Sequence, residues 1–576
     1  MEFKPTVLYG CVWPKSGRRA EKALKNTTPK TTARVAAGWR HSHRHPNQPV
    51  NLIMDNAYIA ALSLAFVFLL HYLLKGKRSN GGNLPPSPPA IPILGHLHLV
   101  EKPLHAALWR LAGRLGPVFS LRLGSRPVVV VSSPELAKEC FTEHDVTFAD
   151  RPQFPSQLLV SFGGTALATA SYGPHWRNLR RVAAVHLLSA HRVAAMSSGV
   201  ISAEVRAMAR RLFRASADGS GGARVQLKRR LFELSLSVLM EAIAQTKATR
   251  PDDADGDDTD MSVEAQEFKK VVDEIIPHLG TANLWDYLPV LRWFDVFGVR
   301  NKILAAVRRR DAFLGRLIEA ERRRLEEEGG GEGDQQGEKT SMIAVLLTLQ
   351  KTEPEVYTDT MITALCANLF GAGTETTSTT TEWAMSLLLN HPEVLKKAQA
   401  EMDASVGTSR LVTADDVAHR LPYLQHIVSE TLRLYPAAPM LLPHQSSADC
   451  KIGGYTVPRG TMLLVNAYAI HRDPAAWGPA PEEFRPERFE DASNKGEELP
   501  LMLPFGMGRR KCPGETLALR TVGMVLGTLV QCFEWERVGG VEVDMTQGTG
   551  LTMPKAVPLE AVCRPRAAMR DVLQKL

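Results

Sequence analysis

The chain has 576 residues, 44% hydrophobic and 23% charged, an ordinary globular balance with enough apolar material for a large core. Its formal charge of +8 would suit a nucleic-acid binder, but ten Lys and Arg against two acids in residues 1–53 account for all of it. The remainder holds 59 charges of each sign and no basic stripe with interleaved aromatics, which excludes nucleic acid as an expected partner.

Residues 1–53 form a leader of doubtful status. Met54 is the expected native start, with the leader a gene-model extension. A transit peptide is the alternative, since the segment is acidic-poor and carries Ser and Thr, but its prolines and lack of amphipathic period argue against that. Residues 54–75 are expected to be a single transmembrane anchor: from Ala57 to Leu74 there is no charged side chain, about the minimum length for a hydrocarbon core of roughly 30 Å. Lys75, Lys77 and Arg78 come next, which by the positive-inside tendency leaves the rest of the chain in the cytosol. Residues 76–95 are a basic and proline-rich linker. Prolines 85, 86, 88, 89 and 92 deny helix and predict a stiff, extended spacer between membrane and globule.

Residues 118–131 read as two short strands around a Gly-Ser-Arg-Pro turn, and most of the chain beyond Val131 has helical period. Two acidic, glycine-rich stretches, 251–258 and 326–339, have nothing to bury and are expected to be mobile surface loops. The fold class is therefore mainly α with small β-sheets, a single body from 96 to 576.

Four stretches stand out. In WRNLRR, Trp176 and Arg180 lie one turn apart, as on any basic surface helix. A helix from about Thr358 to Asn390 contains LFGAGTETTSTT, in which Thr376 can bond the carbonyl of Ala372 and Gly373 removes a side chain from the same face; together they would open a notch. PYLQHIVSETLRLYP, 422–436, puts Glu430 and Arg433 on one face, by default a surface ion pair. Finally Cys512 comes after Arg509, Arg510 and Lys511 and precedes Pro513 and an apolar helical period. A thiol at a helix N-terminus beside three cations is favoured as a thiolate, and glycines 506, 508 and 514 would let the backbone approach something flat. Such a sulfur is a metal ligand, a nucleophile or a buried structural cysteine, and chemistry alone leaves all three open. The seven cysteines, odd in number, scattered and without a CxxC pair, argue against disulfides or a tetrahedral zinc site.

Phe505, Gly508, Arg510, Cys512 and Gly514 resemble the haem-ligand signature of the cytochrome P450 family, and the resemblance extends over roughly 84–566. Within the family the late segment is similar to plant microsomal A-type enzymes, in the clade of isoflavone 2'-hydroxylases and herbicide-metabolising hydroxylases. The resemblance implies the P450 fold, haem as cofactor and Cys512 as iron ligand, with Phe505 and Gly514 in the cofactor loop. It implies Thr376 and Glu375 as the proton-delivering pair. Trp176, Arg180 and Arg510 would bind the haem propionates, with His444 a further member, and Glu430, Arg433 and Arg488 of the later PERF segment would form a structural ion network. It further implies an endoplasmic-reticulum-anchored, single-pass monooxygenase taking electrons from NADPH through the flavoprotein P450 reductase, with Arg509 and Lys511 as reductase contacts or tuners of the thiolate. The substrate is expected to be apolar: a flavonoid or isoflavonoid, a terpenoid, or a xenobiotic. Its contacts are expected from Phe154 to Tyr172, 284–298, Asn368 and Phe370, Ala438 to Leu442, and Leu551 to Met553. A haem-thiolate isomerase or dehydratase working without reductase, and a catalytically silent binding protein of this fold, are the alternatives.

Overall fold

A computed structural model describes residues 58–69, 83–217, 222–246, 261–279, 284–292, 298–327, 341–490 and 498–576. The leader, the ends of the anchor and the stretch 251–258 lie outside them. Residues 58–69 are helical with exposed side chains, and among the described residues no helix is long and apolar enough to cross a membrane.

The described part of the compact body begins at Asn83. The proline-rich segment is part of it rather than a free spacer: Ser120 donates its amide to the Pro86 carbonyl, and His96 exchanges bonds with Arg122 through N–H, carbonyl and Nδ1. Prolines lacking N–H groups can still offer carbonyls to an edge strand, which is why a sequence that denies helix docks here. Gly95 lies at φ +62°, and a Cβ there would stand 2.0 Å from the Arg122 carbonyl oxygen, so only glycine allows the approach.

The expected hairpin is β1 (Val118–Leu123) against β2 (Arg126–Val131), antiparallel with Val118 opposite Val131. The short β3 (His444–Gln445) and β4 (Met462–Val465) complete a sheet of order β1-β2-β4-β3, in which β2 and β4 run parallel. A second sheet joins Ala223–Gln226, Glu560–Pro565 and Phe533–Arg537.

Seven helices frame the site: α1 (Pro174–His186), α2 (Leu227–Ala244), α3 (Val263–Ile275), α4 (Val299–Glu327), α5 (Asp359–Asn390), α6 (Pro422–Leu434) and α7 (Glu515–Cys532). α4 takes up the first two residues of the stretch expected as a loop at 326–339. α5 starts at Thr358, whose hydroxyl oxygen accepts the Met361 amide, a side-chain N-cap. It is buried for most of its length, most of its threonine-rich run 374–381 included, as a central helix must be. α2 packs closely along it: a Cβ on Gly373 would come within 2.8 Å of Leu239 Cδ1. Gly373 therefore serves helix–helix approach, with Leu239 Cδ1 against the place of its missing side chain. α7 begins at Glu515, with Gly514 as its cap, two residues later than the proline-led start expected after Cys512.

Candidate active site

A cavity of about 460 Å³ runs between Cys512 and an apolar far end formed by α2, α3 and α5. Cys512 opens onto it. Its amide donates to the Phe505 carbonyl at 2.8 Å, and the Gly514 amide is directed at the sulfur. Burial pushes the thiol pKa up; the Gly514 amide, then Arg180, then Lys511 pull it down without overcoming the burial. This corrects the expected ionised thiol: the loop disfavours a free thiolate, and a metal cation is what would deprotonate it.

Each of the three cations before Cys512 has partners of its own. Arg509 holds Asp145 at 2.8 Å through Nε and donates to the Tyr172 hydroxyl. Lys511 pairs with Glu515 at 2.6 Å. Arg510 donates to the carbonyls of Ala149 and Ala170, and its guanidinium lies 4.2 Å from the Trp176 ring centroid. Nor do the glycines all face a ligand. Gly508, at φ +69°, would with a Cβ strike Asp145 Oδ1 at 2.5 Å and the Phe141 carbonyl at 2.8 Å, so it fits the loop to the protein beneath it.

The polar end of the cavity collects Arg180, Arg510, His444, Trp176 and Arg151. Trp176 is not a free donor: its indole N–H goes to the Leu167 carbonyl at 3.1 Å, and its ring supports Arg510. His444, fully buried, bonds the Phe148 carbonyl through Nδ1 at 2.6 Å; burial, then Arg151, holds its pKa well below the usual range, so it is neutral. Arg151 escaped the sequence reading. It spends Nη1 on the carbonyls of Leu442 and Pro443, its Nε has no partner, and burial brings its pKa down to about 9. Arg510 likewise has an unpartnered Nη1 and falls to about 10, chiefly through burial. Burial also lowers Arg180. Among the described residues none of the three arginines forms an ion pair, and Glu375 is the one acid lining the cavity.

Glu375 is committed elsewhere. Its Oε1 accepts from Lys228 at 2.8 Å and from Thr379, while Oε2 is buried without a donor. Lys228, on α2, also lies 3.8 Å from Glu382, whose pKa burial raises. Sequence reasoning had no signal for this lysine, which meets Glu375 only through the packing of α2 on α5. Thr376 donates to the Ala372 carbonyl at 2.6 Å, as its place on the helix predicts.

Glu430, Arg433 and Arg488 come together away from the cavity. Arg433 grips Glu430 with two bonds of 2.7 and 2.8 Å, both side chains fully buried. Arg488 reaches Glu430 Oε1 at 3.1 Å, and the Arg485 amide adds a further donor.

The far end differs in part from expectation. Phe154, the 167–169 segment, Asn368, Leu441 and Leu551 line it, but Phe370 packs away against Phe268 and Phe313. The described part of 284–298 stands behind the wall: Tyr287 packs edge-on to Phe154, and Asp286 accepts from Ser156. Its place is taken by α3, with Phe268, Val271 and Ile275.

A flat, dianionic iron porphyrin fits these residues. A cysteine sulfur faces the cavity, the buried Arg151 and half-buried Arg180 and Arg510 lack carboxylates, and two orphaned guanidinium nitrogens have no partner among the described residues. A mainly helical body with a cysteine loop under its longest buried helix, and a cavity between them, defines the haem-thiolate class of proteins. The cytochrome P450 family model matches residues 85–559, and the chain belongs to that family. It is similar to cytochrome P450 81Q32 of Catharanthus roseus, 46% identical over 86% of this chain and 94% of that protein. An isoflavone 3'-hydroxylase of Medicago truncatula is 44% identical over 89% and 99%. Among solved structures, a zebra fish cytochrome P450 with abiraterone superposes with a TM-score of 0.64 at 26% identity, over 81% of this chain and all of that one. The chain is thus a haem-thiolate monooxygenase of the plant group expected from its late segment.

Proposed function

We propose that this enzyme hydroxylates an apolar plant metabolite, a flavonoid or isoflavonoid before a terpenoid or xenobiotic, while anchored in the endoplasmic reticulum membrane with its body in the cytosol. Electrons come from NADPH through the flavoprotein reductase. The observation that carries the reading is a single cavity with Cys512 and carboxylate-free arginines at one end and an apolar wall at the other. The isoflavone named in a relative 44% identical supports the substrate class.

Haem, when bound, supplies the reductive activation of molecular oxygen that lets one atom enter a C–H bond while the other leaves as water. Cys512 is its ligand, with the Gly514 amide steadying the sulfur. Arg151, Arg180 and Arg510 would hold its two carboxylates, and the charge pairing would recover their desolvation. Thr376 keeps its proton on the Ala372 carbonyl and offers its oxygen lone pairs to the cavity. Glu375, tethered at Oε1 by Lys228, has Oε2 in reserve to take up or release a proton. The apolar wall keeps bulk water from the substrate. Thr376 in place speaks against the reductase-free rearrangement reading.

The test is expression of residues 54–576, the reduced carbon-monoxide spectrum, and turnover of flavonoids and terpenoids with reductase and NADPH. Product that needs NADPH is expected; turnover without NADPH, or a Cys512→Ser protein with unaltered spectrum and activity, refutes the reading.

A further inference from the structure

Most polar groups lining the far end of the cavity are spoken for. Ser161, Ser235 and Thr169 turn their hydroxyl protons back onto the carbonyls of Gln157, Leu231 and Ala166. Arg310 donates Nη1 to the Val160 carbonyl and Nε to Asp311; its Nη2 has no hydrogen-bond partner but is covered by protein and lies 2.8 Å from the Asp311 carboxylate, its ion-pair partner. Gln157 makes no side-chain hydrogen bond among the described residues, so nothing fixes which of its atoms it presents. Asn368 is different. Its Oδ1 accepts the Ala168 amide at 2.7 Å, which sets both the rotamer and the sense of the amide. The Nδ2 group is then a fixed donor with no partner among the described residues, on a side chain that lines the cavity.

Asn368, Ala372 and Thr376 stand at i, i+4 and i+8 on α5 and make one stripe. At 1.5 Å per residue its ends are ~12 Å apart. Between them stands only the Ala372 methyl, exposed to the cavity, so the stripe is a bare surface along which a flat molecule can lie. Leu239, Phe268 and Val271 line the same cavity and offer no polar atom.

We infer that Asn368 is the specificity-determining donor of this enzyme, and that its substrate is a flat, elongated molecule carrying a hydrogen-bond-accepting oxygen at one end. The carbon oxidised beside Thr376 lies ~12 Å from that oxygen. This rests on the monooxygenase reading above and narrows its substrate class: an aryl-substituted fused bicycle with a phenolic, methoxyl or carbonyl oxygen qualifies, whereas an all-hydrocarbon terpene does not. A buried donor left unpaired by the wrong ligand is costly, which turns a single amide into a selector.

The test uses haem-loaded full chain and three flavones that differ at one position of the benzo ring: methoxyl, the isosteric ethyl, and aminomethyl. Binding is read from the ligand-induced change of the haem spectrum and, independently, from tryptophan fluorescence quenching. The wild-type protein should bind the methoxyl compound about tenfold more tightly than the ethyl compound, the effect of one hydrogen bond. Asn368→Leu should erase that preference. Asn368→Asp, which still accepts the Ala168 amide but presents no donor, should reverse it toward the aminomethyl compound. Hydroxylation should fall on the pendant aryl ring. Equal binding of methoxyl and ethyl by the wild type, a preference that survives in Asn368→Leu, or hydroxylation next to the methoxyl would overturn the inference. So would failure of all three flavones to bind a protein with an intact thiolate-haem spectrum. Absence of that spectrum in the wild type would instead overturn the monooxygenase reading beneath it.

Discussion

Two groups of buried and half-buried arginines in this molecule obey opposite rules. Arg433 and Arg488 share the carboxylate of Glu430, with backbone carbonyls from His471, Pro481 and Trp477 taking the remaining donors. Arg151, Arg180 and Arg510 surround a cavity without one ion pair among the described residues, and two of them keep an orphaned nitrogen. A charge satisfied inside the chain is scaffold. A charge left unsatisfied is addressed to something the chain does not itself contain. Burial alone would not have separated the two groups; partner counting does.

The contrast breaks most visibly in stability. Glu430→Ala leaves two arginines buried without their anion and should lower the unfolding free energy by about 3–5 kcal/mol, enough to abolish soluble haem protein; a denaturant titration within about 1 kcal/mol of wild type would erase the distinction. Arg180→Gln should do the reverse in haem-free protein, leaving melting unchanged or raising it, because burial already disfavours that charge. The same substitution should weaken haem binding by about 10-fold or more in a haem titration.

Proton linkage sharpens the contrast. His444, beside Arg151, is held neutral by burial, so below the usual imidazole range the unfolded chain binds a proton that the folded protein does not, and stability should fall as pH drops through about 6.5. Arg151 stays charged, and Arg151→Gln should weaken haem binding by about 10-fold in a haem titration; equal affinities would remove Arg151 from the set. The smallest effect belongs to Lys511→Ala: its pair with Glu515 is half-exposed, and melting should move by less than about 1 kcal/mol.

What the sequence revealed was local. The 505–514 loop, the Thr376 bond to Ala372 and the Glu430–Arg433 pair each lie within one turn or one loop, so spacing alone places them. The β1–β2 hairpin was legible for the same reason. What it hid was made by distant packing. Lys228 meets Glu375 across α2 and α5, Asp286 meets Ser156 behind the cavity wall, and Arg151 is drawn in by the carbonyls of Leu442 and Pro443. The partners of the cations beside Cys512 were hidden because sequence adjacency says nothing about direction: Arg509 and Lys511 point to Asp145 and Glu515. The proline-rich segment misled in the other direction, since a stretch unable to form helix was still able to lend carbonyls to β1.

The seat of the cysteine loop has a consequence for biogenesis. Gly508 and Arg509 rest on Asp145, laid down early in synthesis, whereas the loop itself emerges near the end. Neither half can position the sulfur alone. The ribosome must therefore all but finish its product before a pigment-holding pocket exists, and loading is a late, post-assembly event rather than a nucleus around which the polypeptide condenses.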